Sequence, residues 1–220
     1  MSVFDTFKTI VLTVLIMAGI FIQYRPATAA EAEKLVVAGG CFWCVEADFE
    51  KVPGVLGAVS GFTGGKVENP TYKEVVNGNT GHFEAVEITF DPSRVTRADL
   101  LAKFLRSIDP TDADGQFCDR GASYRTAIFV ADNSERVLAD RVKSQAQSDL
   151  GMTIVTPVLP LGAFYPADAS HQDYYKGTKL VITRFGPRKQ SVAYKLYRQA
   201  CGRDAKVLQL WGDAAPFAGS

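Results

Sequence analysis

The chain has 220 residues, of which 47% are hydrophobic and 22% are charged, and its formal net charge is zero. This composition fits a globular protein of one domain, or at most two small ones. The balance of charges does not indicate a protein that binds nucleic acid.

The N-terminal segment has the order charged, apolar, small that is typical of a secretory signal peptide. A short polar start containing Lys8 precedes an uncharged apolar run at residues 9–22, and Ala-Thr-Ala follows at 27–29. A run of this length is shorter than the ~20 residues that a membrane-spanning helix needs. We therefore predict a signal peptide at residues 1–29, with an uncleaved membrane anchor as the alternative. The mature protein is then expected to be exported, and periplasmic.

Strands and helices alternate along the next hundred residues. The patterns predict a strand at 34–40, a helix at 41–52, strands at 55–65 and 83–92, a helix at 96–108 and a strand at 124–132. The resulting order β-α-β-β-α-β across 34–131 predicts an α/β (α+β) fold, a ferredoxin-like split βαβ two-layer sandwich.

The C-terminal half continues with a predicted helix at 134–151, a proline-interrupted edge strand at 153–167 and a short helix at 170–178. The sequence shows little periodicity from about residue 196. We therefore predict one folded domain at 30–195 and a mobile C-terminal tail at 196–220.

Two cysteines stand three residues apart in the segment GGCFWCVE, residues 39–46. A thiol at Cys41 would face the unpaired N–H groups at the start of the predicted helix, which favour the thiolate and lower its pKa below ~8.5. Such a thiolate is a nucleophile. Cys44 lies one turn later on the same helix face, within disulfide reach.

The residue types alone leave several interpretations of these cysteines open. A zinc site needs a second, compactly spaced ligand pair, and Cys118, Cys201, His82 and His171 do not supply one. A structural disulfide within the C-x-x-C would close too short a loop to stabilise the fold. A thioredoxin-like dithiol, a cysteine hydrolase with a histidine base and simple core packing remain as alternatives.

Several motifs stand in order between residues 36 and 176: GCFWCVE, GFTGG, YKEV, TGHFEAVEITFDP, DPT, DRGASYRTAIF and HQDYY. Together they resemble the methionine sulfoxide reductase A family. The resemblance implies an oxidoreductase, with 30–195 as its catalytic domain, that reduces the S-epimer of methionine sulfoxide, free or in proteins. It also implies a ferredoxin-like core, no metal or bound cofactor, and electrons from thioredoxin or an equivalent dithiol. We expect a monomer; a general thiol–disulfide oxidoreductase is the alternative function.

The resemblance also implies roles for individual residues. Cys41 would attack the sulfoxide sulfur and become a sulfenic acid. Phe42 and Trp43 would form the apolar pocket for the substrate methyl group. Glu84 would protonate the sulfoxide oxygen, because a carboxyl group beside an apolar pocket keeps its proton near neutral pH.

Further residues are implied in binding the oxygen and in resolving the sulfenic acid. Tyr72 and Tyr124 match the hydroxyl pair that holds the sulfoxide oxygen, and Asp119 matches a polar residue that orders the site. The family usually resolves with a C-terminal cysteine, which implicates Cys201. Cys44 adds a second route, either by direct resolution or by a relay. Cys118 is not expected to take part in the redox chemistry.

Overall fold

The computed structural model describes residues 31–219 together with Phe4, Lys8, Ile10 and Thr13. The chain divides into two compact units, Met1–Ala30 and Glu31–Ser220. The described residues of the first unit are helical, and the Lys8 ammonium group lies 5.3 Å from the centre of the Phe4 ring. The rest of the predicted signal peptide lies outside the described residues. Among the residues that are described, no helix is both long and apolar enough to span a bilayer.

The second unit contains long central strands and several short ones. In chain order they are β1 (Glu33–Gly39), β2 (Val55–Thr63), β3 (Phe83–Phe90), β4 (Gly115–Gln116), β5 (Asp119–Arg120), β6 (Thr126–Val130), β7 (Val158–Pro160), β8 (Tyr165–Pro166), β9 (Leu180–Thr183) and β10 (Gly186–Lys189). The α-helices are α1 (Phe42–Phe49), α2 (Tyr72–Val76), α3 (Arg97–Arg106), α4 (Asn133–Leu150), α5 (Gln190–Cys201) and α6 (Arg203–Trp211).

A six-stranded sheet in the order β7-β6-β1-β3-β2-β8 forms the centre of this unit. The neighbours β6, β1, β3 and β2 are antiparallel, so that β3 lies between β1 and β2 as a split βαβ unit requires. β7 adds in parallel to β6, and β8 adds antiparallel to β2. The predicted α/β class is confirmed.

The two faces of the sheet are covered differently. Side chains alternate along β1, so Leu35 and Val37 join the main core together with the apolar residues of α1 and α3. Val36 and Ala38 lie in a smaller cluster with residues of the segment that follows β7. Thr96, the first residue of the predicted helix 96–108, is the N-cap of α3, in a capping box in which the Asp99 amide donates to the Thr96 hydroxyl oxygen (3.1 Å). Such caps stabilise a helix start by about 1 kcal/mol.

The predicted edge strand at 153–167 forms two short strands instead of one. β7 pairs at one edge of the sheet and β8 at the opposite edge, so the chain between them crosses from edge to edge. Prolines at 157, 160 and 166 limit the length of both strands, because proline cannot donate to a strand ladder.

The prediction of a mobile tail at 196–220 is wrong. Helices α5 and α6 belong to the same compact unit as the sheet, and Trp211 and Phe217 are part of the main core. Arg198 and Arg203 are only 6% and 2% exposed, and Arg198 pairs with buried Asp48 at 2.8 Å. Arginines and a carboxylate anchor these helices, so apolar periodicity alone could not predict their burial.

Candidate active site

The turn between β1 and α1 sets the position of the first cysteine. Gly40 has a φ of +79°, and a Cβ there would lie 2.6 Å from Cβ of Gln116, so only glycine fits. Cys41 is therefore the N-cap of α1. The next amide, that of Phe42, donates to Glu84 Oε2 at 3.0 Å. The turn thus brings the thiol and the predicted acid to the same place.

Cys41 and Cys44 are both free thiols, the first half-buried and the second buried. A hydrogen bond from Cys41 lowers the pKa of Cys44 to about 7 against the opposing effect of burial, with help from the positive charges of Arg203 and Arg198. The same hydrogen bond raises the pKa of Cys41, as do burial and the nearby negative charges. The prediction that the helix start lowers the pKa of Cys41 is therefore wrong for the resting protein. The hydrogen bond between the thiols and the surrounding charges thus favour a thiolate at Cys44 over one at Cys41.

Glu84 lies in β3 opposite Phe62 of β2 and is 1% exposed. Burial raises its pKa to about 8, although the hydrogen bond from the Phe42 amide acts in the opposite direction. Its second oxygen, Oε1, is buried without a hydrogen bond of good geometry among the described residues, although the nearby Tyr124 hydroxyl also lowers the pKa of the group. A protonated carboxyl group with an unused oxygen at the cavity wall can donate to a ligand.

The two predicted tyrosines and Asp119 complete the polar side of the site. Tyr72 is the first residue of α2, and Tyr124 ends a 3-10 turn, Ala122–Tyr124. Their hydroxyl groups share a hydrogen bond, and burial, followed by the charge of Glu84, raises the pKa of both. Burial also raises the pKa of Asp119, although the positive charges of Arg203 and Arg184 act to lower it. The hydroxyls therefore stay protonated and can donate.

Aromatic rings form the apolar side of the site. Trp43 stacks on Tyr174 with ring centres 3.8 Å apart, and Phe42 is 1% exposed, with its ring 6.0 Å from that of Tyr72. His171, 4.2 Å from Tyr72 between ring centres, stacks within this group. Tyr174 was not predicted as a site residue, although its motif HQDYY could have indicated it.

All the predicted site residues border one cavity of about 530 Å³. These are Cys41, Phe42, Trp43, Cys44, Tyr72, Glu84, Asp119, Tyr124 and Cys201, and Cys118 borders it as well. A thiol pair, a protonated carboxyl group, two hydroxyl donors and an aromatic wall thus face a common space. This combination suits a small ligand with one polar oxygen and one apolar end.

The structure changes the interpretation of the other two cysteines. Cys118 and Cys201 form a disulfide across 83 positions of sequence, with their Cα atoms 4.9 Å apart. Cys118 lies in the turn between β4 and β5, and Cys201 ends α5. The expectation that Cys201 is a free thiol on a mobile tail is therefore wrong for this state, whereas the expectation that Cys118 takes no part in the redox chemistry stays a prediction. Cys118, Asp119 and Cys201 cluster closely enough to suggest metal ligands, but both sulfurs are used by the disulfide.

Two buried arginines, which were not predicted as site residues, contact the turn between β1 and α1 and the helix α1 that follows it. Arg203 donates to the carbonyl oxygens of Gly39 at 3.2 Å and Ser107 at 2.9 Å. Arg198 donates to Asp48 at 2.8 Å and to the Tyr194 hydroxyl at 2.9 Å. The C-terminal helices therefore hold the turn that carries the thiols and add positive charge beside Cys44.

Comparisons with known proteins agree with this geometry. The sequence profile of the family described as "Peptide methionine sulfoxide reductase" matches residues 33–200. The chain is 46% identical over 190 residues to "Peptide methionine sulfoxide reductase MsrA 2" of Rhizobium meliloti, covering 86% of this chain and 89% of that protein.

Solved structures give the same result. Methionine sulfoxide reductase A of Corynebacterium diphtheriae aligns with a TM-score of 0.60 and 33% identity, covering 69% of this chain and 76% of that one. Mxr1 of Saccharomyces cerevisiae in its reduced form aligns with a TM-score of 0.64 and 27% identity, covering 70% and 87%.

Proposed function

The chain belongs to the peptide methionine sulfoxide reductase family, and from this premise we propose that it reduces the S-epimer of methionine sulfoxide, free or in proteins, to methionine. The proposed role is the repair of oxidised proteins. The observation that carries the proposal is the meeting of Cys41, Cys44 and protonated Glu84 at one cavity. A general thiol–disulfide exchange would not use a buried acid and two hydroxyl donors, so we do not favour that alternative.

The first step uses the polar side of the cavity. The hydroxyls of Tyr72 and Tyr124 donate to the sulfoxide oxygen, and Glu84 gives it a proton as the S–O bond weakens. The Cys41 sulfur attacks the sulfoxide sulfur and forms an S–S bond with it, while its own proton passes to the Cys44 thiolate. This bond and the substrate S–O bond then break as the protonated oxygen moves to the Cys41 sulfur. The net result is transfer of the oxygen to Cys41, which becomes a sulfenic acid, and release of methionine.

We propose that Cys44 resolves the sulfenic acid. Its sulfur bonds to the sulfur of Cys41, and the oxygen leaves as water. The hydrogen bond between the two thiols supports this assignment, and Cys201 is already bonded to Cys118. An external dithiol of the thioredoxin type would then reduce the new disulfide, so that the cycle needs no bound cofactor.

The aromatic wall accounts for the choice of epimer. Trp43, stacked on Tyr174, and the Phe42 ring offer an apolar surface for the S-methyl group, whereas the hydroxyls lie where the oxygen must bind. Exchanging the two groups would place the methyl against the hydroxyls and leave buried polar atoms without a partner, which costs about 1–3 kcal/mol for each.

A racemic substrate tests the proposal. We expect the protein with dithiothreitol to consume only the S-epimer of a methionine sulfoxide peptide, as read by chiral chromatography. Cys41→Ser should abolish the reaction, and Ser134→Ala, a surface change on α4, serves as the matched control. Consumption of neither epimer, or of both at equal rates, would contradict the proposal.

We also propose that residues 1–29 direct export to the periplasm and are then removed. The order of charged, apolar and small residues supports this proposal. Mass spectrometry of the protein from cell fractions should find a chain beginning near Glu31 outside the cytoplasm. A full-length chain in the membrane fraction would support the uncleaved anchor instead.

A further inference from the structure

A two-stranded hairpin lies at the mouth of the cavity. Among the strands that the structure describes, β9 and β10 pair with each other and with no other. Three consecutive residues of the hairpin, Ile182, Thr183 and Arg184, border the cavity that holds Cys41. Val181 packs against the cluster that contains Cys44 and Tyr174. The hairpin is thus held against the site by one face.

Leu180 and Ile182 form an exposed apolar patch on the hairpin that extends outward from the edge of the cavity. Directly paired residues of antiparallel strands share a face, and the register pairs Ile182 with Pro187 and Leu180 with Lys189. Ile182 is 92% exposed and Leu180 is 67% exposed. An exposed apolar patch beside a binding cavity marks a contact surface more often than a scattered single residue does.

Positive charge surrounds this patch. Residues 179–189 contain four basic residues, Lys179, Arg184, Arg188 and Lys189, and no acidic one. No ion pair joins these four to a carboxylate within the described part of the chain. The Arg184 guanidinium lies 4.9 Å from the centre of the Phe185 ring, and its charge reaches Asp119 in the cavity. A partner with negative charge would match this surface.

We propose that the β9–β10 hairpin binds the extended polypeptide on either side of a methionine sulfoxide, and that it selects segments in which apolar and acidic residues flank the oxidised side chain. This inference rests on the proposed function. A sulfoxide side chain that enters the cavity must leave its own backbone at the mouth, where the hairpin lies. Free methionine sulfoxide has no flanking residues, so it can fill the cavity without covering Leu180 or Arg188, which do not border it.

The test compares substrates on hairpin variants with dithiothreitol as reductant. The substrates are the S-sulfoxide peptides Leu-Glu-Met(O)-Glu-Leu and Leu-Lys-Met(O)-Lys-Leu, and free methionine sulfoxide. The variants are Leu180→Thr, which introduces a β-branched side chain that suits a strand, and Arg188→Glu, and neither residue borders the cavity. Their matched controls are Leu56→Thr, at an exposed apolar strand position, and Arg141→Glu, at an exposed position on α4.

We expect each hairpin variant to lower kcat/KM for the acidic peptide, relative to free methionine sulfoxide, by about three- to tenfold, as for the loss of one partly desolvated contact. Arg188→Glu should also reduce the preference for the acidic over the basic peptide, because it replaces one of the four positive charges by a negative one. The controls should change these ratios less than twofold. Turnover of the free amino acid serves as the internal measure of correct folding.

Three results would overturn the inference. Unchanged ratios in variants that still reduce free methionine sulfoxide refute the role of the hairpin and leave the proposed function intact. A raised KM for thioredoxin, with unchanged peptide ratios under dithiothreitol, would assign the surface to the reductant. Failure of the unmodified protein to reduce any methionine sulfoxide would refute the proposed function and this inference with it.

Discussion

Replacing Glu84 by glutamine tests the source of the proton that the reaction needs. With a pKa of about 8, about nine-tenths of the Glu84 side chains are protonated at pH 7 and about one-tenth at pH 9. The thiol pair changes in the opposite sense, because it gains its thiolate as the pH rises through about 7. We therefore expect a bell-shaped rate profile for the first step, with its maximum between about pH 7 and 8.

Glutamine keeps a hydrogen-bond donor at this position but has no acidic proton. The rate of methionine formation should fall by about 10²- to 10⁴-fold, the usual contribution of a general acid. The decline at high pH should disappear, whereas the rise at low pH should remain. The assay is single-turnover release of methionine from the reduced protein, which separates this step from the later reduction of the disulfide.

Glu87→Gln is the matched control, since Glu87 lies on the same strand and pairs with Lys34 at the surface, 2.8 Å away. It should leave both the rate and the profile unchanged. If Glu84→Gln keeps a full rate, or keeps the decline at high pH, then Glu84 is not the proton donor.

The stability of Glu84→Gln gives an independent check of the direction in which folding shifts the pKa of Glu84. Because folding raises the pKa of Glu84 from 4.5 to about 8, the unfolded chain loses this proton first, and the group destabilises the fold increasingly as the pH rises from about 4.5 to 8. At about 1.4 kcal/mol for each pH unit, the difference is on the order of 3 kcal/mol at pH 7. Urea unfolding should therefore show Glu84→Gln to be more stable than the unmodified protein at pH 7, with the difference absent near pH 4. Equal stabilities at both pH values would contradict the raised pKa.

The remaining predictions concern the cysteines, the buried arginine and the aromatic wall. Cys44→Ser should still release about one methionine per protein without reductant, but its steady-state turnover with thioredoxin should be slow. Cys201→Ser should keep its steady-state turnover with thioredoxin. The reverse pattern of rates would restore Cys201 as the resolving thiol. Arg198→Met should lower the free energy of unfolding by about 3 kcal/mol, because buried Asp48 then keeps only the more distant Arg203, 3.9 Å away. A second change, Asp48→Asn, should recover part of the loss in urea unfolding. An unchanged stability in the single variant would contradict the proposed anchor. Trp43→Ala should raise the KM for the S-epimer at least about tenfold, because the substrate methyl group loses an apolar contact. Trp211→Ala is the control for the loss of a tryptophan outside the cavity. Equal increases in KM in the two variants would argue against a methyl pocket at Trp43.

Local sequence patterns predicted much of this molecule correctly. The alternation of apolar residues predicted the central strands, and Thr96 marked the start of α3, because these features depend on neighbouring residues. The ordered motifs predicted the members of the site, including Cys41 and Glu84, and the structure brings them to one cavity. The members of the site and the helices and strands that carry them could be predicted, because motifs and apolar patterns depend on residues that are close together in the chain.

Long-range contacts decided what the sequence could not. The Cys118–Cys201 bond, the burial of Arg198 and Arg203, and the apolar hairpin at the cavity mouth each join segments that are distant in the chain. The pKa of a thiol depends on the charges and hydrogen bonds around it in space. The helix start alone therefore predicted a low pKa for Cys41, whereas the packed structure gives the lower pKa to Cys44. The sequence by itself thus determined the fold class, the family and the chemical groups of the site, and only the tertiary structure decided how those groups share protons and which cysteines are bonded.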